Sequence, residues 1–258
     1  MPISSLILLI ILFFVTSAIG VVTGSNSLIT VPVMFQFGIE PKQAVATNMF
    51  GLTFMSIGAT IPFLRRGVID KRRVSPLIIL TLISSALGAL LVGLISSKTI
   101  PIIVSVSMIV VCVFTFIKRD AGVVKSEPIA AAGGSFNYLL IIGYVLTFLL
   151  GIYGGLYSGG YVTMLTAAFV AFFGMTFTEA VASTKLINVF SSLVATIIFM
   201  RQGLVDYKLG LSLAVVMFVG AFIGAHVVTK LNDLWLKRIF IATVLILAIK
   251  TIFDFTRV

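Results

Sequence analysis

A lysine inside an apolar segment is the residue with the clearest chemical potential in this sequence. Lys185 follows Glu179-Ala-Val-Ala-Ser-Thr and precedes an apolar run that reaches Met200. Placing a lysine at the centre of a bilayer costs about 2.5–3.5 kcal/mol, so such residues usually face a cavity or a partner on a substrate path. Lys185 is therefore predicted to bind an anion. Two other interpretations stay open: the side chain extends to the membrane interface, or Glu179 neutralises it.

Polar side chains accompany this lysine at helical spacing. Asn188 and Ser192 follow Lys185 by three and seven residues, and Thr184 borders the same face. Residues three, four and seven apart share one side of an α-helix. The segment is thus predicted to be a helix with one polar face, which its neighbours must enclose.

The composition predicts an all-α, polytopic integral membrane protein. Hydrophobic residues make up 60% of the 258 residues and charged residues 10%, with a mean hydropathy of +1.23. Soluble domains average about 45–50% apolar residues and about 25% charged residues. At about 20 residues per helical span, the chain can hold about eight to ten membrane segments and no soluble catalytic domain. We therefore expect a multi-pass protein of the cytoplasmic membrane that is not an enzyme.

Charge and metal-ligand content narrow the function further. The net charge of +10 comes mostly from short loops, as positive-inside orientation requires, so nucleic-acid binding is not expected. One histidine and one cysteine, Cys112, provide neither a metal cluster nor a disulfide. No cofactor is predicted, and the absence of a Gly-x-x-x-x-Gly-Lys-Ser/Thr loop disfavours ATP as the driving force.

Two glycine-containing breaks interrupt the apolar runs. The first, Gly24-Ser-Asn-Ser27, precedes only about ten apolar residues, 28–37. The second, from Tyr153 to Gly160, precedes the short segment Tyr161–Phe173. These short segments cannot span a bilayer alone as helices. We therefore predict two broken or re-entrant helices, whose irregular backbone must be buried in protein or line a cavity.

The chain is an internal duplication at an offset of 136 residues. The matched pairs include Gly38/Gly174, Ala44/Ala180, Thr47/Ser183, Ser56/Ser192, Arg65/Arg201, Gly67/Gly203, Asp70/Asp206 and Gly88/Gly224. The predicted organisation is a first transmembrane repeat at 1–117, a connecting loop at 118–135 and a second repeat at 136–258. Repeats that each contain a broken helix are typical of transporters whose site lies between the repeats.

The orientation of the two repeats follows from the basic loops. Inverted repeats place Arg65–Arg73, Lys118–Glu127 and Lys230–Arg238 on the cytoplasmic side, with both termini outside. Parallel repeats would place Arg201–Lys208 on the cytoplasmic side instead of Lys230–Arg238. The number of basic residues on that side would then be nearly the same. The inverted arrangement is favoured, and the parallel one stays open.

The signatures of both halves resemble the TauE/SafE family of sulfite exporters, also described as the sulfonate uptake permease type. The resemblance lies in Leu28-Ile-Thr-Val-Pro32, Gly38-Ile-Glu-Pro-Lys-Gln-Ala-Val-Ala-Thr-Asn48, Glu179-Ala-Val-Ala-Ser-Thr-Lys-Leu-Ile-Asn188 and Arg201-x-Gly203-x-x-Asp206. It implies secondary transport of small sulfur-containing anions such as sulfite, sulfoacetate, related sulfonates or organic acids, in an unspecified direction. The first break is poorer in glycine than the family pattern.

An oxyanion site in a membrane needs a positive charge and neutral donors around it. The candidate substrate-binding residues are Lys185, Thr184, Ser183, Asn188, Thr47, Asn48, Asn26, Tyr157 and Ser158. The small hydroxyl residues can equally serve close helix packing. The repeated residues Arg65, Asp70, Arg201 and Asp206 flank Gly67 and Gly203, and they are predicted to form a required turn, with gating as the alternative.

Other functions stay open at this stage. The expected partners are a small anionic substrate and the lipid bilayer. Whether H⁺ or Na⁺ is the coupling ion, and whether the protein forms a homodimer, is undecided. An anion channel or a permease for another small solute could use the same basic cavity. A divalent-metal permease would need acidic, histidine or sulfur ligands within the spans and is disfavoured.

Overall fold

The described part of the chain is entirely helical. The computed structural model describes residues 3–24, 26–117, 136–228 and 230, which contain no strand. The helices are α1 (Ile3–Thr23), α2 (Ser27–Gln36), α3 (Pro41–Arg65), α4 (Lys71–Leu94), α5 (Ile100–Ile117), α6 (Phe136–Leu156), α7 (Tyr161–Phe173), α8 (Phe177–Arg201) and α9 (Tyr207–Val228). The predicted connecting loop and the predicted last segment, Trp235–Phe255, lie outside the described residues.

Six of these helices are long and apolar enough to cross a membrane, namely α1, α3, α4, α6, α8 and α9. The helices α2 and α7 have 10 and 13 residues, which at 1.5 Å per residue reach about half or two thirds of a bilayer core. The prediction of an all-α polytopic protein is confirmed. The count of eight to ten membrane segments stays a prediction.

The helix starts are defined by side-chain caps. Glu40 accepts a hydrogen bond from the Gln43 backbone N–H at 2.8 Å, and Pro41 begins α3. Thr176 and Glu179 form a reciprocal capping box at the start of α8. Such caps satisfy backbone donors that have no partner within the helix. The Glu179 carboxylate is thereby engaged at the helix terminus, which disfavours the open alternative that it neutralises Lys185.

The repeated turn has the same construction in both halves. Gly67 and Gly203 have φ angles of 66° and 69°, in the left-handed region that glycine favours. Asp70 accepts from the Arg72 N–H at 3.0 Å, and Asp206 accepts from the Leu209 N–H at 3.1 Å. Each carboxylate thus caps the following helix. Arg65 and Arg201 are exposed in the last turns of α3 and α8.

The helices α3 and α8 form the centre of the packing and contact each other directly. Thr53 lies 3.2 Å from Thr196 between their hydroxyl oxygens, and the Asn188 amide donates to the Ser56 hydroxyl at 2.6 Å. The residue numbers of the contacts rise along α3 and fall along α8. The two helices therefore run in opposite directions.

The outer helices pack on the opposite half through glycines. A Cβ on Gly88 of α4 would press against the backbone carbonyl of Ile152 in α6, and one on Gly224 of α9 would press against that of Ala18 in α1. Gly88 and Gly224 are matched positions of the duplication. Close backbone approach through small residues is how helices associate in membranes. The first helix of each half thus packs on the fourth helix of the other.

This packing makes Gly88 a sensitive position. We expect Gly88→Ala to lower the melting temperature in detergent, because the new methyl group meets rigid backbone; overpacking of this kind costs about 1–3 kcal/mol. The matched control is Gly93→Ala in the same helix, whose Cβ would meet the flexible Gln202 side chain at 2.8 Å and should change stability little. A Gly88→Ala protein as stable as the wild type would contradict the close contact.

Candidate functional site

Lys185 is buried in the centre of the protein. Its side chain is 3% exposed, and its ammonium donates a hydrogen bond to the Gly20 carbonyl oxygen at 2.8 Å. Gly20 lies in the last turn of α1, at the end of the helix that carries a partial negative charge, and its carbonyl also accepts from the Gly24 N–H at 2.9 Å. The end of the broken helix therefore stabilises the lysine charge.

No carboxylate shares this position among the described residues. The acidic side chains there are Glu40, Asp70, Glu179 and Asp206, and all stand at helix starts. The charge of Lys185 is thus balanced by backbone and side-chain dipoles alone. A buried cation so placed can form a complete ion pair with an anion that enters from outside.

The two helix breaks meet beside this lysine. The Thr163 hydroxyl of α7 donates to the Thr23 carbonyl at the end of α1 at 2.5 Å. The Tyr157 hydroxyl, in the second break, donates to the Ser27 carbonyl at 2.9 Å. Gly24 has a φ of 65°, and a Cβ there would lie 2.8 Å from Val162. The predicted meeting of the two breaks is confirmed.

A small cavity lies at this junction. Its volume is about 10 Å³, room for about one water molecule. Its walls come from α1, α2, α3, α7, α8 and the second break, and the lining residues are Gly20, Gly24, Asn26, Ser27, Leu52, Met55, Ser56, Ser158, Val162, Lys185 and Asn188. The starts of α2 and α7 contribute, and helix N-termini favour anions.

Four of the predicted binding residues line the cavity: Lys185, Asn188, Asn26 and Ser158. Asn188 lies one helical turn from Lys185, as the sequence spacing predicts, and its amide bridges to Ser56 on α3. These residues combine one cation with amide and hydroxyl groups. That is the donor set predicted for an oxyanion.

The other predicted residues lie outside the cavity lining. The Asn48 carbonyl oxygen accepts from Thr30 at 2.8 Å, and its amide donates to the Ser27 hydroxyl at 2.9 Å. Asn48 thereby holds the start of α2 against α3. Tyr157 reaches the Ser27 carbonyl from the opposite side, so Ser27 is fixed by both halves.

Thr184, Ser183 and Thr47 are also buried and behind the lining. The hydroxyl oxygens of Thr184 and Thr166 are 3.2 Å apart. In the duplication, Thr184 matches Asn48 and Thr166 matches Thr30 of the first half. The Thr47 hydroxyl accepts from the Asp206 N–H at 3.0 Å and thereby connects α3 to the repeated turn. These side chains support the cavity walls from the next layer.

Several lining residues were not predicted from the sequence. Ser27 and Gly24 lie in the predicted first break, and Ser56 belongs to a matched pair of the duplication, so these features could have indicated them. Leu52, Met55 and Val162 are apolar residues within apolar helices, and no sequence feature distinguishes them from their neighbours. The Gly20 carbonyl is a backbone atom, which no side-chain motif marks.

The model of the family described as sulfite exporter TauE/SafE matches residues 8–251. The chain belongs to the TauE/SafE family. The resemblance noted in the sequence is thereby confirmed, and this TauE/SafE protein is a multi-pass membrane transporter. Its family is a transporter family, in agreement with the expectation that it is not an enzyme.

Relatives of this TauE/SafE protein are similar over almost their whole length. The probable membrane transporter protein ORF9 of a Sinorhizobium species is 27% identical over 241 residues, 93% of this chain and 90% of its own. The probable membrane transporter YfcA of Escherichia coli K12 is 26% identical over 251 residues, 96% of this chain and 91% of its own. YunE of Bacillus subtilis is 20% identical over 269 residues. No solved structure matches the chain significantly.

The burial of Lys185 predicts a cost in stability. We expect Lys185→Met to raise the melting temperature in detergent, because removing a buried charge without a carboxylate partner is worth about 1–3 kcal/mol. Gly20 keeps a partner, since its carbonyl also accepts from the Gly24 N–H at 2.9 Å. The control is Lys42→Met, a partly exposed lysine that donates to the Gly93 carbonyl. A large loss of stability in Lys185→Met would show that the lysine is structural.

Proposed function

We propose that this protein is a secondary transporter of small sulfur-containing anions, such as sulfite, sulfoacetate or related sulfonates and organic acids, across the cytoplasmic membrane. The observation that carries the proposal is the Lys185 ammonium at 3% exposure in a small cavity between the two halves. A buried cation without a carboxylate partner favours an anionic ligand.

The remaining donors of the cavity suit an oxyanion. Lys185 has three N–H groups and uses one on Gly20, so two can reach a ligand. The hydroxyl of Ser158 and the starts of α2 and α7 add neutral donors. Charge-assisted hydrogen bonds to oxyanions are the strong class of hydrogen bond. The set can therefore replace much of the hydration that an anion loses on entry.

The small size of the cavity supports a transporter over an open channel. Its volume of about 10 Å³ is smaller than any sulfur oxyanion, so binding requires the walls to separate. Those walls come from both halves, which makes relative motion of the halves the natural way to open it. The same cation disfavours a divalent-metal permease, because it would repel the metal ion.

We propose further that the halves are inverted repeats. The contacts of α3 and α8, which are matched elements, run in opposite directions. The outer contacts support the same relation, since α1 packs on α9 and α6 packs on α4. This arrangement brings both broken helices to one site from opposite sides. The exposed basic loop at 65–73 then faces the cytoplasm.

Anion binding is tested by thermal stabilisation of the purified protein, because a ligand that binds only the folded state raises its melting temperature. We expect at least one anion among sulfite, thiosulfate, sulfoacetate and sulfate to stabilise the wild type and Lys42→Met, with taurine, a zwitterion at neutral pH, included for comparison. Lys185→Met should lose this response while it remains folded. The stabilising anion should also exchange across proteoliposome membranes with saturation.

Two results would oppose the proposed site. Equal stabilisation of Lys185→Met and Lys42→Met would place the anion elsewhere. Unitary currents without saturable counterflow would assign the protein to the anion channels.

The repeat orientation is tested with Arg72→Cys and Lys208→Cys in a Cys112→Ser background. These exposed positions are 136 residues apart and follow the repeated turn in each half. In intact cells, a membrane-impermeant thiol reagent should label Lys208→Cys and leave Arg72→Cys unlabelled until the cells are opened. Labelling of both positions from one side would indicate parallel repeats.

A further inference from the structure

One polar atom in the cavity wall has no partner. Asn26 lines the cavity and is 3% exposed. Its amide Nδ2 donates to the Met55 sulfur at 3.3 Å, whereas its Oδ1 has no hydrogen-bond partner. A buried acceptor without a donor is rare in folded proteins and calls for an explanation.

The Asn26 oxygen is not used to cap a helix. Asn26 precedes α2 with helical backbone angles, φ −50° and ψ −51°, and its side chain makes no capping bond. Asn48, in the adjacent layer, has both its oxygen and its nitrogen bonded. Within the described residues the Asn26 amide is therefore held through its nitrogen, and its oxygen has no partner.

Asn26 and Lys185 flank the same backbone position. A Cβ on Gly20 would lie 3.2 Å from the Asn26 Cβ and 3.0 Å from the Met55 methyl carbon, while Lys185 donates to the Gly20 carbonyl. The sulfur of Met55 fixes which end of the amide is free, since a reversed amide would set its oxygen against the sulfur. One small ligand can thus meet a cationic donor and a neutral acceptor together.

We propose that the cavity selects monoanions that carry a hydrogen-bond donor beside their acceptor oxygens, such as hydrogensulfite or hydroxy-substituted sulfonates. The oxyanion oxygens accept from Lys185, and the O–H or N–H of the ligand donates to Asn26 Oδ1. Lys185 is the only charged lining residue among those described. It balances one negative charge of a ligand, and a second negative charge on the ligand would have no partner. The assignment rests on the proposed anion site.

Sulfamate and methanesulfonate are matched probes for this selectivity. They have the same charge and nearly the same size and shape, but sulfamate has an NH₂ group where methanesulfonate has CH₃. We expect sulfamate to bind the wild type about three- to tenfold more tightly, the factor that one hydrogen bond gives. Affinity is measured by thermal shift or calorimetry on the detergent-purified full chain, in potassium and in sodium buffers.

Two variants identify the acceptor. Asn26→Ala should equalise the two affinities and should fold, because the side chain does not cap α2. The control, Val162→Ala, enlarges the cavity lining without removing a polar group, so both affinities should shift together and their ratio should persist. Sulfate should bind more weakly than sulfamate.

Each remaining result contradicts the inference in a distinct way. Equal binding of both probes to the wild type overturns the selectivity and leaves the anion site standing. If Asn26→Ala still prefers sulfamate to methanesulfonate, the NH₂ group of sulfamate donates to another acceptor. If the preference appears only in sodium buffer, Asn26 Oδ1 binds Na⁺ instead of the ligand. Failure of all anions to bind overturns the proposed anion site and this inference with it.

Discussion

The hydrogen bond from Lys185 to the Gly20 carbonyl is the interaction on which the arrangement of the site depends. The Gly20 carbonyl also accepts from the Gly24 N–H at the end of α1, and a carbonyl oxygen has a second lone pair that can accept from the ammonium. The break after Thr23 leaves the C-terminal end of α1, with its partial negative charge, inside the protein. The broken helix therefore offers the buried ammonium a partner within the protein.

The polar groups released by one break are covered by the other. Thr163 bonds the Thr23 carbonyl, and Tyr157 bonds the Ser27 carbonyl. Where neither water nor lipid supplies partners, every such group must be satisfied within the protein. The duplication solves this requirement, because each half brings a broken helix with its own hydroxyl donors. Close glycine contacts at Gly88 and Gly224 bring the halves near enough for these bonds to form.

The site carries its polar groups at a cost to the fold. A single cation in a cavity of about 10 Å³ is held by dipoles alone among the described residues. An anion bound as proposed would offset that cost, and part of its binding energy would be available to separate the walls of the cavity. The proposed transporter would then have an empty and a loaded state that differ in charge and in packing at this cavity.

Much of the fold could be predicted from the apolar runs, and the prediction failed mainly at helix starts. The predicted short segment Tyr161–Phe173 has the observed bounds of α7, whereas α4 begins at Lys71, inside the predicted basic loop Arg65–Arg73. The charged first turn of α4 hid the true start, although Asp70 caps it. A hydropathy pattern locates the apolar part of a helix within the membrane core, but it does not indicate a polar, capped first turn outside that core.

The sequence by itself determined the membrane class, the duplication, the two breaks and the shared helix face of Lys185 and Asn188, because these follow from composition and helical spacing. Only the tertiary structure decided which donors and acceptors are paired. Asn26 and Asn48 are equivalent as polar residues in the sequence, yet Asn48 is fully bonded and Asn26 has a free oxygen. Hydrogen-bond partners such as Lys185 and Gly20 are 165 residues apart, and only helix packing brings them together.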